Sequence, residues 1–361
     1  MERIGIEESV ETKTLTKKLN IEGKLITAPM AEVTDSPFRI ISKKFGAAMT
    51  FTQMVSAEGI LKNNFNSLRF LTFAREERPV AVQILGNDPG IFRETVKEIV
   101  KFKPAMIDLN AGCPVTKVTS KKMGSALMSE RSLFGEIVKA MSDSAGDIPI
   151  SVKLRLGPNK NVINVIENAK VAVDNGAGVV SIHARTQDEE YEIEPHWEWI
   201  AKAKKEIDAQ IVGNGSIFNY KDAKRMISET GCDFVMVGRG ALGNPFLFSR
   251  FNKLMDSGVE TEEPSIAIVK ETLLEHLKLI FREYGAILGL DKAKKNIIWY
   301  FKRFDGIDFL IVNLIPLKEE NDIFSLVEIH AEKLFDGFYK KSDKTLIDKK
   351  FKERIVFWLL N

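Results

Sequence analysis

The chain has 361 residues, 44% hydrophobic and 28% charged, with a net charge of only +2, so it can bury one large core and a smaller second one, and contact with a polyanion must come from local patches. Two cysteines, Cys113 and Cys232, lie far apart without paired spacing, which argues against a disulfide framework or a zinc site and for a reducing cytoplasm. Residues 1–19 mix acidic and basic side chains without the apolar stretch of an export signal, and no run approaches the roughly 18 apolar residues of a membrane span, so a monomer that binds neither membrane nor metal is expected.

Short β-rich runs occur at 24–28, 49–54, 80–85, 105–109, 150–154, 179–183, 210–213 and 234–237. Stretches with helical spacing at 91–102, 133–142, 162–174 and 197–207 lie between them and end near Gly, Pro or Asn. Strands alternating with helices over about 230 residues predict a (β/α)₈ TIM barrel, with an open doubly wound sheet as the competitor. The strand ends favour the barrel, because each lies at or near a chemically capable side chain: Pro29 with Met30, Gln53, Gln83, Asn110 with Cys113, Lys153 with Arg155, His183 with Arg185, Asn214, and Arg239. In a barrel these ends converge on one mouth. Beyond Pro245 the strand pattern stops, and helical spacing begins at Ser265 and continues to about residue 305. The expected organisation is an extension at 1–19, a barrel at 20–250, a linker at 251–264 and a smaller all-helical domain at 265–361.

Cys113 follows a strand on the turn Asn110-Ala111-Gly112-Cys113-Pro114, a placement suited to chemistry, although most lone cysteines are simply buried. The basic, Gly-containing stretch after it, with Lys117, Lys121 and Lys122, suits a mobile loop over a polyanion. Gly213-Asn214-Gly215-Ser216 after the seventh run and Gly238-Arg239-Gly240 after the eighth are the two turns that hold phosphate in many barrels, and Arg239 adds a guanidinium for bidentate contact. Either turn alone allows a plain structural explanation. Together they predict a phosphorylated cofactor.

In order and spacing over roughly residues 20–305, Ala28-Pro29-Met30, Val82-Gln83-Ile84-Leu85-Gly86, Asn110-Ala111-Gly112-Cys113-Pro114, Lys153-Leu154-Arg155, His183-Ala184-Arg185-Thr186, Gly213-Asn214-Gly215 and Gly238-Arg239-Gly240 closely resemble the tRNA-dihydrouridine synthases. The stretch from Cys113 to Leu127 is most similar to the bacterial B-type branch. The resemblance implies an FMN barrel followed by a helical domain that grips tRNA, reducing the C5–C6 bond of a D-loop uridine with NADPH or NADH as reductant. It implies Cys113 as general acid to C5, with Ala28, Pro29, Met30, Gln83, Asn110, Lys153, His183, Asn214, Gly215, Gly238 and Arg239 around the cofactor. Lys153 would stabilise an anionic reduced ring, since an inward lysine in a barrel is costly to leave unpaired. Asn110, Lys117, Arg155 and Arg185 would contact substrate.

Three positions depart from the family pattern. An acidic loop with Gln187 and Glu189 replaces a polar or basic one, Ser216 stands where Asp is usual, and Gln53 where Glu is usual. Residues 251–361 carry 18 Lys and Arg against 19 Asp and Glu, so RNA contact there would rest on the cluster Lys292, Lys294, Lys295, Lys302 and Arg303 among Trp299, Tyr300 and Phe301, with Lys294 and Lys295 as the expected phosphate contacts. The same spacing fits a solvated lysine face over an aromatic core face. Two other classes compete: an FMN barrel acting on a small molecule would not need the basic surfaces, and a non-catalytic RNA-binding module would not need the flavin constellation. His196, His276 and His330 have no partner at a recognisable spacing and are expected to be structural or on the surface.

Overall fold

A computed structural model describes residues 16–338. The start of the N-terminal extension and the end of the C-terminal domain lie outside the described residues. Nine parallel strands form one sheet: β1 (Leu25–Thr27), β2 (Thr50–Phe51), β3 (Val55–Ser56), β4 (Val80–Leu85), β5 (Met106–Ala111), β6 (Ile150–Arg155), β7 (Val179–His183), β8 (Gln210–Asn214) and β9 (Phe234–Val237). Their order is β1-β9-β8-β7-β6-β5-β4-β2, with β3 also on β4. A parallel bridge between Ile26 and Met49 joins the two ends. The barrel is therefore closed, and the open sheet is excluded. Helices Pro89–Val100, Arg131–Ser144, Val165–Asp174 and Glu198–Glu206 fall on the four predicted helical stretches. The run at 49–54 yields only β2, and β3 follows just beyond it; between them the Thr52 hydroxyl donates to Gln53 O and accepts from Gln83 N.

Alternation along each strand separates two environments. Val82, Ile84, Ile107, Leu109, Val152, Leu154, Val180 and Ile182 pack outward with the helices. Ile26, Phe51, Ala81, Met106, Val179, Val212, Phe234 and Met236 form the interior floor with Leu19. Leu19 belongs to the barrel, contrary to the expected extension: its backbone exchanges hydrogen bonds with the Gln210 side chain at 2.7 and 3.1 Å. Above the floor the inward positions turn polar, from Gln83, Asp108 and Ser151 to Asn110, Lys153 and Arg155.

Residues 251–257 are not linker. They continue the helix Phe246–Ser257, and Phe251 and Leu254 are buried in the barrel core. An irregular segment at 258–264 leads to the helix Ile266–Phe301, interrupted at Gly285, and then to helices Ile307–Leu314 and Glu320–Phe335. These helices enclose a second core that includes Leu273, Leu277, Ile297, Phe301, Leu310 and Val327. Trp299 joins the barrel core instead, against the Gly243 turn.

His276 and His330 are buried in the helical region, and desolvation pushes both down to about 4. A histidine kept neutral by the fold contributes stability fully present above its unfolded pKa and lost as pH falls towards 4. The thermal midpoint should therefore fall between pH 6.5 and 4.5, with at most about 1.4 kcal/mol lost per pH unit per histidine. His276→Phe with His330→Leu should flatten that slope; an unaltered slope in the double variant would assign the acid sensitivity elsewhere.

Candidate active site

The mouth of the barrel holds a cavity of about 620 Å³. Its lining includes every residue expected at the cofactor, namely Ala28, Pro29, Met30, Gln83, Asn110, Lys153, His183, Asn214, Gly215, Gly238 and Arg239. Cys113, Arg155 and Arg185 line it as well. Four cations therefore face one space, and none of the lining residues is Asp or Glu. Such a space favours an anionic ligand.

The strands set these positions. Lys153 pairs in register with Asn110 on one side and Ser181 on the other, so its side chain rises from the inward face of β6. Its Nζ has one long contact, 3.4 Å to Asn214 Oδ1. Desolvation, then the neighbouring Arg155, push the ammonium down to about 8, while Asp108 and Cys113 oppose the shift. Asp108 is fully buried below it on β5. Burial pushes that carboxyl up to about 6, although Gln83 and Ser151 both donate hydrogen bonds to it. At neutral pH both groups are mainly charged. His183 is held well below the ordinary range, first by burial and then by Lys153, Arg155, Arg185 and Arg239. Its Nε2 lies 3.3 Å from Arg185 Nη1. Since a guanidinium only donates, that nitrogen must accept, and the ring proton sits on Nδ1.

Cys113 stands on a closed turn. Asn110 Oδ1 accepts from Gly112 N at 3.2 Å and from Cys113 N at 3.0 Å. Cys113 O accepts from Ser125 N at 3.0 Å, which pins the far end of the following stretch. Gly124 makes this possible, since a Cβ there would lie 2.7 Å from Cys113 O. The basic stretch expected as a mobile loop contains a helical turn at Thr116–Thr119 and a second at Gly124–Ser129. Lys117 is exposed on the first turn, outside the cavity lining.

Arg155 and Arg185, expected as substrate contacts, line the cavity and also have partners within the protein. Arg155 donates to Gly112 O at 3.0 Å and Thr186 O at 2.6 Å. Arg185 donates to Ile193 O, Tyr191 O and Ser216 Oγ at 2.7, 2.9 and 2.7 Å. Both brace the loops around the mouth. Glu189 accepts from Thr186 N at 2.8 Å and pairs with His196 at 2.8 Å, so the acidic substitution folds its own loop and the histidine is structural. The other departures also have internal partners, with Ser216 receiving Arg185 and Gln53 Oε1 receiving Glu32 N at 2.7 Å. Arg239 lies 4.4 Å above the Tyr191 ring, in reach of the mouth. The two Gly-rich turns touch: a Cβ on Gly240 would meet Ile217 O at 2.0 Å.

A model of the family described as "Dihydrouridine synthase (Dus)" matches residues 26–331. The tRNA-dihydrouridine synthase B of Pseudomonas aeruginosa is 34% identical over 79% of this chain and 86% of its own. A probable tRNA-dihydrouridine synthase of Rickettsia conorii is also 34% identical, over 78% of this chain and 85% of its own. The chain belongs to the dihydrouridine synthase family. Two solved structures share the barrel fold at low identity. Histamine dehydrogenase from Rhizobium sp. 4-9 has a TM-score of 0.51 at 12% identity, covering 72% of this chain and 49% of that one. A 2-naphthoyl-CoA reductase has a TM-score of 0.52 at 13% identity, covering 65% and 50%. Against each of these the chain spans about half the other's length.

Within this family frame the site adds residues that the sequence did not single out. Asp108 was visible as a lone acid in the apolar run 105–109, and its burial was the missed signal. Tyr191 stacks on His183 at 5.9 Å from an irregular loop, where no periodicity marks it. The expected RNA contacts at the other end of the chain lie on a packed helix. Lys294 Nζ donates to Ile315 O at 2.8 Å and Leu317 O at 2.7 Å, closing the end of the Ile307–Leu314 helix. Trp299, Tyr300 and Phe301 are buried, so this stretch is the amphipathic helix that the spacing also allowed. Lys295 lies on the same helix, half-buried and outside the cavities at the barrel mouth. Lys294→Ala should cost about 1.5–3 kcal/mol of stability, the range for charge-assisted bonds, while the salt dependence of tRNA binding stays at the wild-type slope. Measured thermal midpoints and binding isotherms at several salt concentrations separate the two, and a flattened slope with an unchanged midpoint would restore the phosphate role.

Proposed function

We propose that this chain reduces the C5–C6 double bond of a uridine in the D-loop of tRNA to 5,6-dihydrouridine, in the cytoplasm, with bound FMN and NADPH or NADH as the reductant. The observation that carries the proposal is the joining, in one cavity, of Cys113 with Lys153, Arg155, Arg185 and Arg239 and no carboxylate. A phosphorylated, electron-rich cofactor and an RNA backbone are both anionic. The family relationship supplies the class of reaction.

The residues fit FMN in type. Arg239 and the adjoining Gly215 and Gly238 turns suit the phosphate through guanidinium and backbone donors. Lys153 has a charge that its 3.4 Å amide contact does not balance, so it would gain an anionic partner at the flavin ring. Gln83 and Asn110 offer amide edges, and Ala28, Pro29 and Met30 an apolar floor. When bound, FMN supplies the hydride for C6 of the uracil. Cys113 then delivers the proton to C5 from its thiol, which opens onto the same cavity. Neutral His183 accepts from Arg185 and so keeps that guanidinium aligned beside the mouth.

For tRNA the favoured surface is the seam between barrel and helices rather than the Lys294 helix face. A cavity of about 520 Å³ there shares Arg239 with the mouth and is lined by Arg250, Lys302 and Arg303, with Glu263 as its one acid. Arg250 and Arg303 both pair with Glu263, and Lys302 is exposed, so Lys302 is the side chain best placed to meet phosphate.

Two measurements bear on these assignments. Purified enzyme with NADPH should raise dihydrouridine in tRNA from a strain lacking it, and Cys113→Ala should lower turnover by about 10² to 10⁴-fold, the range for a lost general acid, with flavin still bound and reducible. Near-normal turnover would remove Cys113 from the chemistry, and no dihydrouridine from wild type would sink the proposal as a whole. Lys302→Ala should weaken tRNA binding and reduce the log-log salt slope by about 0.7 to 0.9, as for one phosphate contact, at unchanged flavin content. A wild-type slope would move the RNA surface elsewhere.

A further inference from the structure

A directed chain of hydrogen bonds runs from the buried floor of the mouth to the Cys113 turn. Ser151 Oγ and Gln83 Nε2 donate to the two carboxylate oxygens of Asp108, the latter at 2.7 Å. Gln83 Oε1 accepts from Asn110 Nδ2 at 2.8 Å. Asn110 Oδ1 accepts from the backbone N–H groups of Gly112 and Cys113. The four side chains are buried, and β4, β5 and β6 hold Gln83, Asp108 and Ser151 in register.

The two ends of this chain fix its sense. Backbone N–H groups can only donate, so Asn110 must turn its oxygen towards them. An ionised carboxylate can only accept, so Gln83 must turn its amide nitrogen towards Asp108. The two amides then meet with nitrogen facing oxygen. Reversing either one places donor against donor at one link and acceptor against acceptor at another, in a buried setting where such mismatches are costly.

We infer that Asp108 is a positioning residue for the reaction: its carboxylate locks Gln83 in the sense that receives the Asn110 amide, and so, together with the turn's own N–H groups, holds the turn that presents the Cys113 thiol. Asp108 lies beneath the cavity and is not among its lining residues. Its effect on the thiol passes through two amides. Cys113's role as proton donor comes from the proposed function, but the rate at which its thiol is alkylated reports the turn whether or not the protein reduces tRNA.

The experiment follows alkylation of Cys113 by iodoacetamide at pH 8, read by peptide mass spectrometry, which distinguishes it from the buried Cys232. In Asp108→Asn an amide can face Gln83 in either sense, so the Cys113 turn should loosen and alkylation should quicken by about 3- to 10-fold, the worth of one net hydrogen bond. Ser151→Ala removes a bond to the same carboxylate off the path to Cys113. It should lower the thermal midpoint and leave the rate within about twofold of wild type, a margin below that of one hydrogen bond. The exchange Asp108→Asn with Gln83→Glu moves the carboxylate one link along and preserves the sense, since a carboxylate in place of the Gln83 amide can accept from both neighbouring amides. It should fold and keep the wild-type rate even where Asp108→Asn alone does not fold. A wild-type rate in folded Asp108→Asn, an equal acceleration in Ser151→Ala, or an exchanged variant that is unfolded or accelerated would each overturn the inference.

Discussion

The uncompensated charge on Lys153 is the constraint around which the site is organised. An ammonium brought into a barrel must be balanced or neutralised, and here its direct contact is a neutral amide at 3.4 Å. Burial and then Arg155 lower the lysine's proton affinity, while Asp108, below it on β5, supplies an opposing charge at a distance and raises it. The resulting value of about 8 leaves the group charged at neutral pH and responsive to an anion. A bound anion would raise it further, so cofactor affinity and lysine protonation are linked.

The positive cavity also decides how its other residues behave. Buried among Lys153, Arg155, Arg185 and Arg239, His183 stays neutral and acts as an acceptor. Two of the four cations, Arg155 and Arg185, direct their donors to loop carbonyls. They serve the site by holding the loops after β5, β7 and β8 together while keeping the potential positive. One residue type thus does two jobs at adjacent positions, and only the hydrogen-bond partners tell them apart.

That distinction marks the boundary of what the sequence disclosed. The barrel and its cavity-lining side chains follow from strand runs alternating with helical spacing and from polar residues at strand ends, both of which are local in sequence. Lys294 shows the opposite case. Its neighbours Trp299, Tyr300 and Phe301 fit an RNA face and a buried helix face equally well, and the decision lay with carbonyls of Ile315 and Leu317, more than twenty residues away. Leu19 likewise looked like a tail because its partner, Gln210, is 191 residues distant. Asp108 was visible but read as an ordinary strand residue, since nothing short of its burial reveals that its two oxygens end a hydrogen-bond chain.

The same contrast explains why the family's departures are tolerated here. Glu189 adds a negative charge beside a site that should attract RNA, yet it is largely buried, receives the Thr186 N–H and pairs with His196. A carboxylate held in this way is partly balanced by its own partners, and its charge also favours the protonated state of Arg155 and Arg185 beside it. Its pKa is accordingly lowered despite burial, with the Thr186 backbone and His196 outweighing desolvation. Ser216 completes the arrangement by accepting from Arg185 without adding a second acid to the cavity wall. The acidic loop therefore uses its carboxylate to close the frame around Tyr191, and the positive charge of the mouth stays with the four cations that line the cavity.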